Sequence, residues 1–152
     1  MTADQIPEFG DPEPGATYAL RPGGYAVVFD EEGRLAVVLA GRCLHLPGGG
    51  QEAGESVEEA AVREVVEETG LRVALQALIG VADELVFARS AASHYRKRCW
   101  FFRASVIGTA EPSEADHELR WMQVEEAVRA LSHESQRWAV REALRAIVRG
   151  PQ

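Results

Sequence analysis

Three glutamates, Glu64, Glu67 and Glu68, stand at i, i+3 and i+4 in a stretch whose pattern reads as helical. At about 100° of rotation per residue their side chains share one arc of roughly 100°. Carboxylates placed this way repel one another. An exposed pair costs only a few tenths of a kcal/mol. A partly desolvated pair about 5 Å apart costs about 3 kcal/mol at an effective dielectric near 20. The segment holds no Lys that would relieve the repulsion. A hard divalent cation relieves it, since carboxylate oxygens suit Mg²⁺, which keeps waters and bridges to substrate phosphates. A solvated acidic helix face is the ordinary alternative for such a cluster. Gly48-Gly49-Gly50 upstream favours the cation, because bare backbone can approach a ligand and offer it a carbonyl or amides.

These residues need a frame, and the chain supplies one. Ser56 with Glu59 three residues on forms a capping box, and Gly70 supplies the left-handed stop, so a helix is expected over Ser56–Thr69. Val57, Ala61, Val62, Val65 and Val66 form its core face, and Glu68 falls at the edge of that apolar arc, expected to be partly buried. Before the helix, Gly24–Phe29 and Leu35–Leu39 read as strands joined by the turn Asp30-Glu31-Glu32-Gly33. A short strand near Cys43–Leu46 then leads into the glycines, which read as loop. After the helix, strands are expected at Leu71–Val81, Leu85–Ala88, Arg98–Ile107 and Leu119–Met122. Helices follow at Glu125–Leu131 and Gln136–Val148, the last with Trp138, Leu144, Ile147 and Val148 on one face. Residues 1–15, rich in Pro, Gly and acids, read as a flexible arm before a single domain over 16–152.

From Gly49 the sequence runs five residues to Glu55, seven more, then Arg63-Glu64-Val65-Val66-Glu67-Glu68-Thr69-Gly70-Leu71. This resembles the Nudix box, G-x5-E-x7-R-E-U-x-E-E-x-G-U with U aliphatic, and all nine specified positions match across 23 residues. The resemblance implies an α/β protein with the Nudix fold, a mixed β-sheet sandwiched between α-helices. It also implies hydrolysis of a nucleoside diphosphate linked to a further moiety, by water attacking phosphorus, with Mg²⁺ or alternatively Mn²⁺. Glu64, Glu67 and Glu68 would then be metal ligands, with a backbone carbonyl from Gly48 beside them. Glu64 is the first choice as general base, and Arg63 would pair with Glu55 or orient Glu64. Some members draw a further carboxylate from a later loop; here Glu118, then Glu114, is the choice among Glu111, Glu114, Asp116 and Glu118.

Substrate contacts are sought in His94-Tyr95-Arg96-Lys97-Arg98, the one concentrated basic patch. There Arg96 and Arg98 would hold phosphate and Tyr95 would stack a base. A charged hairpin tip explains the same residues. His45, His117 and His133 show no metal-like spacing and read as structural or exposed. The proline that marks ADP-ribose cleavage downstream of the box is replaced by Phe87, and the tyrosine that marks dinucleoside polyphosphates is missing from Val86-Phe87-Ala88-Arg89. A nucleoside triphosphate or a nucleotide sugar is left. Two readings of other classes compete: a non-catalytic nucleotide-binding module, and an isomerase of the isopentenyl-diphosphate type, of which Cys43 near the glycines is a faint echo.

The net charge of −8 agrees with this site. Residues 49–71 carry seven Glu and one Arg, so most of the excess sits in one short segment. Acidic balance argues against nucleic acid or an anionic membrane as partner and leaves a small nucleotide derivative. At 152 residues, 46% of them hydrophobic, the chain can bury a core without disulfide or structural metal. Cys43 and Cys99 are far apart, lack a C-x-x-C arrangement and read as buried thiols in a reducing cytoplasm. The N-terminus lacks the features of a signal peptide, and Leu35–Ala40, the longest apolar run, is too short to span a bilayer. The expected location is cytoplasmic, with the arm a candidate to cross a homodimer.

Overall fold

The computed structural model describes residues 5–149. In chain order the elements are β1 (Glu8–Phe9), β2 (Tyr18–Val28), β3 (Leu35–Ala40), β4 (Cys43–His45), β5 (Gly48–Gly50), α1 (Val57–Thr69), β6 (Leu71–Ala88), β7 (Ser93–Thr109), β8 (His117–Met122), α2 (Val124–Ala130) and α3 (Glu134–Arg149). Five strands form one mixed sheet in the order β1-β6-β7-β2-β5, and three form an antiparallel sheet in the order β4-β3-β8. Helix α1 covers one face of this strand layer and α2 with α3 cover the other, so the expected α/β sandwich is present.

Alternation along β2 feeds both cores. Tyr25 and Val27 pack with Phe101, Ala139, Val140 and Ala143 on the α3 side. Ala26 and Val28 pack with Val65, Leu71, Val73 and Ala104 on the α1 side. Strands buried on both faces read as unbroken apolar runs, which is why Ala26–Val28 and Leu35–Val38 lack polar residues. Gly24 has a packing reason: a Cβ there would collide with the Val57 carbonyl and Ala61, so only glycine lets α1 lie this close to β2.

Several expectations are corrected. The turn after β2 forms, with Asp30 accepting from the backbone of Glu32 and Arg34. The strands it joins do not pair as a hairpin beyond a single bridge, Phe29 to Leu35, and enter different sheets. Gly48–Gly50, read as loop, is an edge strand antiparallel to Gly23–Tyr25. The strand stretches Leu71–Val81 and Leu85–Ala88 are one strand, with register shifts at Arg72/Val73, Leu75/Ala77 and Leu78/Gly80 that increase its twist. Its polar centre is satisfied internally: Glu84 accepts the Ser135 N–H at 2.9 Å, placing a carboxylate at the N-terminus of α3.

The arm read over residues 1–15 is docked at Glu8–Phe9, which pairs parallel with Asp83–Glu84 of its own chain; residues 1–4 lie outside the described residues. On α3 the buried stripe is Ala139, Val140 and Ala143 flanked by Trp138 and Leu144, while Ile147 and Val148 are exposed. Cys99 is buried as expected, but Cys43 is exposed. No helix among the described residues is long and apolar enough to cross a membrane.

Candidate functional site

Helix α1 starts as its capping box requires: Ser56 Oγ accepts the Glu59 N–H at 3.0 Å, and Glu59 returns a carboxylate to the Ser56 N–H at 3.2 Å. Gly70 closes it in the left-handed region, φ 76°. The polar face that results points toward β5 and the segment between β7 and β8. There a Cβ on Gly49 would stand 2.7 Å from Glu64 Cδ, so glycine keeps the space that the Glu64 carboxylate occupies.

Arg63 organises this face. Its guanidinium grips Glu55 through two bonds, at 2.7 and 2.9 Å. It also reaches Glu64 at 3.0 Å, Glu67 at 3.1 Å and the Gly50 carbonyl at 3.0 Å. Arg63 thus contacts Glu55 and Glu64 at once, and the fork geometry is one that only Arg provides. The bonds from Arg63 hold the Glu55 carboxyl down at about 2.

The box glutamates divide into two groups. Glu64 and Glu67 gather with Glu114, each offering an oxygen within 4.8 Å of the others. Glu114 is brought there by the backbone: the N–H groups of Ser113 and Glu114 both donate to the Glu67 carbonyl at 2.9 Å, and that of Ala110 to the Gly70 carbonyl at 2.7 Å. Glu118, preferred from sequence, is corrected. It lies on β8 with its side chain 62% exposed and directed to Arg120, because strand alternation turns His117 rather than Glu118 toward α1.

Glu68 takes a different position. Its side chain is 5% exposed, and Oε1 accepts the Gly48 N–H at 2.8 Å. Oε2 faces His45 Nε2 at 3.7 Å and His117 Nε2 at 3.5 Å. His45 and His117, read as unconnected, thus meet at the last turn of α1. Gly48 acts here through its amide.

A cavity of about 590 Å³ opens beside these groups, a size that suits a nucleotide-sized ligand. Glu64, Glu68 and His45 line it together with Arg21, Tyr95 and Lys97. The Arg21 guanidinium stacks 4.2 Å above the Tyr95 ring. Tyr95 is therefore at the cavity as anticipated. Arg96 and Arg98 are not: both turn to Asp83, at 3.1 and 2.9 Å, and Arg96 also pairs with Glu8. Alternation along β7 leaves Lys97, not singled out from the sequence, as the cavity cation on that strand.

Burial raises the Glu64 carboxyl and, reinforced by Glu64, Glu114 and Glu67, lifts Glu68 from an ordinary 4.5 to about 8. Burial lowers His45. A carboxyl whose folded pKa is raised stabilises the fold below its unfolded pKa and loses that contribution as the pH climbs through the folded value. The metal-free protein is therefore expected to lose thermal stability from about pH 6.5 to about pH 8. That window lies above the range in which His45 and His133, both lowered by burial, act in the opposite sense. Millimolar Mg²⁺ is expected to restore stability at the alkaline end by binding the ionised form. Calorimetric melts across this range check it; an apo melting temperature that rises over the same range contradicts it. Glu55, held low, works in the opposite window, with stability lost as pH falls from its ordinary 4.5 toward 2.

The putative 8-oxo-dGTP diphosphatase of Bacillus subtilis (strain 168) is 46% identical over 61 residues, 39% of this chain and 41% of that protein. The ADP-ribose pyrophosphatase of Methanocaldococcus jannaschii is 59% identical over 39 residues, 26% of this chain and 23% of that protein. The chain thus spans less than half the length of these curated relatives. A solved NUDIX hydrolase from Nitrosomonas europaea superposes with a TM-score of 0.68 at 20% identity, over 84% of this chain and 90% of that one. A family model described as the NUDIX domain matches residues 19–144, from β2 into α3. Since that match takes in every strand but β1, together with α1 and the segment that carries Glu114, the chain belongs to the NUDIX family.

Proposed function

We propose that the chain hydrolyses a phosphoanhydride bond in a nucleoside diphosphate derivative, a nucleoside triphosphate or a nucleotide sugar, with Mg²⁺ as cofactor and Mn²⁺ as the alternative. The observation that carries this is the set of Glu64, Glu67 and Glu114 oxygens within 4.8 Å of one another beside a cavity that Arg21, Lys97 and Tyr95 also line. An all-oxygen carboxylate set suits a hard divalent cation. A cation held there by Glu64, Glu67 and Glu114, with Glu68 and the Gly48 carbonyl as the further ligands proposed, would neutralise charge on the diphosphate and lower the pKa of a bound water.

The chain's own residues do the rest. Glu64, half-buried and held by Arg63, accepts the proton of the attacking water. Arg63 keeps Glu55, Glu64 and Glu67 in register and does not itself meet substrate. Lys97 and Arg21 hold phosphate charge, and Tyr95 offers its face to a base. Arg96 and Arg98, committed to Asp83, contribute by fixing β7 against β6.

The test is a Mg²⁺-containing panel of nucleoside triphosphates, nucleotide sugars, ADP-ribose and isopentenyl diphosphate, read by product chromatography. Cleavage of a triphosphate or nucleotide sugar is expected. Tight nucleotide binding without cleavage turns the reading to a binding module. Rearrangement of isopentenyl diphosphate turns it to an isomerase.

A further inference from the structure

Phosphoanhydride hydrolysis on an all-carboxylate site gives no role to two imidazoles, yet two converge on Glu68. His45 ends β4 and His117 opens β8, the strands on either side of β3, so the small sheet carries both to the C-terminal turn of α1. Their hydrogen bonds fix where the protons are. His45 Nδ1 lies 2.8 Å from the Leu46 carbonyl, which can only accept, so Nδ1 carries the hydrogen. His117 Nδ1 lies 2.9 Å from the Asp116 carboxylate, with Glu114 Oε2 at 3.9 Å from the same nitrogen, so the same holds. With the hydrogen on Nδ1, the neutral form of each ring, which is the form that binds a metal, presents its lone pair at Nε2.

Both lone pairs face Glu68 Oε2, and the three atoms lie within 4.8 Å of one another. The separations from Oε2, 3.7 and 3.5 Å, are too long for direct hydrogen bonds. They fit the edges of a coordination polyhedron, since ligands about 2.1 Å from a tetrahedral centre stand about 3.4 Å apart. The Gly48 N–H holds Oε1 and so aims Oε2 at the histidines. Carbonyl and carboxylate partners on both Nδ1 atoms are the outer contacts that orient metal-binding histidines. His45 and Glu68 line the cavity, so a position opposite the protein ligands opens onto it.

We propose that His45, Glu68 and His117 form a second cation site, distinct in chemistry from Glu64–Glu67–Glu114, that selects a zinc-class divalent cation over Mg²⁺. Two imidazoles and one carboxylate suit Zn²⁺ or Co²⁺, whereas Mg²⁺ prefers oxygen throughout. The site shares Glu68 with the box but stands whether or not the proposed hydrolysis does.

The test titrates the chelator-stripped full chain with Co²⁺ in millimolar Mg²⁺, follows the visible d–d bands, and displaces Co²⁺ with Zn²⁺. One tightly held Co²⁺ that Mg²⁺ does not displace is expected. His45→Gln and His117→Gln should each weaken Zn²⁺ binding at least about 100-fold, with Glu67→Gln close to the unaltered protein. Histidine ¹⁵N spectra of the unaltered chain add a measurement that needs no variant, with Zn²⁺ expected to shift two Nε2 resonances. Co²⁺ fully displaced by Mg²⁺, unchanged affinity in both histidine variants, or unshifted Nε2 resonances overturns the site. A negative substrate panel with the Co²⁺ bands retained removes the proposed hydrolysis and leaves this site standing.

Discussion

Replacement of Glu64 by Gln is expected to lower kcat by about 10²–10⁴-fold, the range for loss of a positioned general base, with the melting temperature little changed. The side chain is isosteric, and it sits where Gly49 leaves room for it, so the backbone has no cause to move. What is lost is the charge. Glutamine cannot take a proton from water and binds a divalent cation weakly. Glu114→Gln should cost less, because Glu114 shares the oxygen cluster but lies on a segment rather than on α1. Glu118→Gln should stay within about twofold of the parent, since its carboxylate faces Arg120 and solvent. Steady-state kinetics on the substrate found in the panel decides the matter. Loss of turnover in Glu118→Gln alone removes Glu64 from the role of base.

The second large effect is expected at Arg63, where Lys keeps the charge but loses the fork. Arg63 meets five acceptor atoms through three nitrogens, and a single ammonium cannot hold Glu55 by two bonds while reaching Glu64, Glu67 and the Gly50 carbonyl. A carboxylate displaced by about 1 Å costs on the order of 100-fold in rate. Arg63→Lys is therefore expected to lower kcat about 100-fold with KM little changed, because Arg63 positions the base and touches no substrate. The acid limb of the stability profile should also retreat toward neutral pH in this variant, since Glu55 loses the partner that holds its carboxyl at about 2. A KM effect without a kcat effect would place Arg63 on the substrate instead.

The local parts of this site could be read from the chain, and the non-local parts could not. The capping box, the Gly70 stop and the shared arc of Glu64, Glu67 and Glu68 follow from helix periodicity within a few residues. The burial of Glu68 follows from its place beside Val65 and Ala61. The choice between Glu114 and Glu118 rests on two amides donating to one carbonyl of α1, a contact that no spacing encodes. Tyr95 and Lys97 separate from Arg96 and Arg98 by strand alternation, which the sequence hid because the apolar signal of that strand begins only near Arg98. Which set met the cavity depended on Asp83 across the sheet. Asp83 and Glu84 themselves looked like a break between strands because buried acids are rare, and their partners come from distant segments. The glycines of β5 carry no strand signal at all. They pair because Gly23 and Gly24 lie opposite them.

The parallel pairing of β2 with β7 has a further consequence, and it is kinetic. Tyr18 aligns with His94 and Val28 with Ala104, so β2 waits for a partner half a chain away. The strand on its other side, β5, is only three residues long. A nascent chain that has reached Leu71 holds the whole box yet has neither β7 to pair with β2 nor Glu114 and His117 to complete the two side-chain clusters. Closing so long a loop costs entropy before any contact repays it, which gives the fold a high contact order and a slow route to the native state. During that interval the apolar runs of β2 and β3 are uncovered, and association of unfinished chains competes with folding.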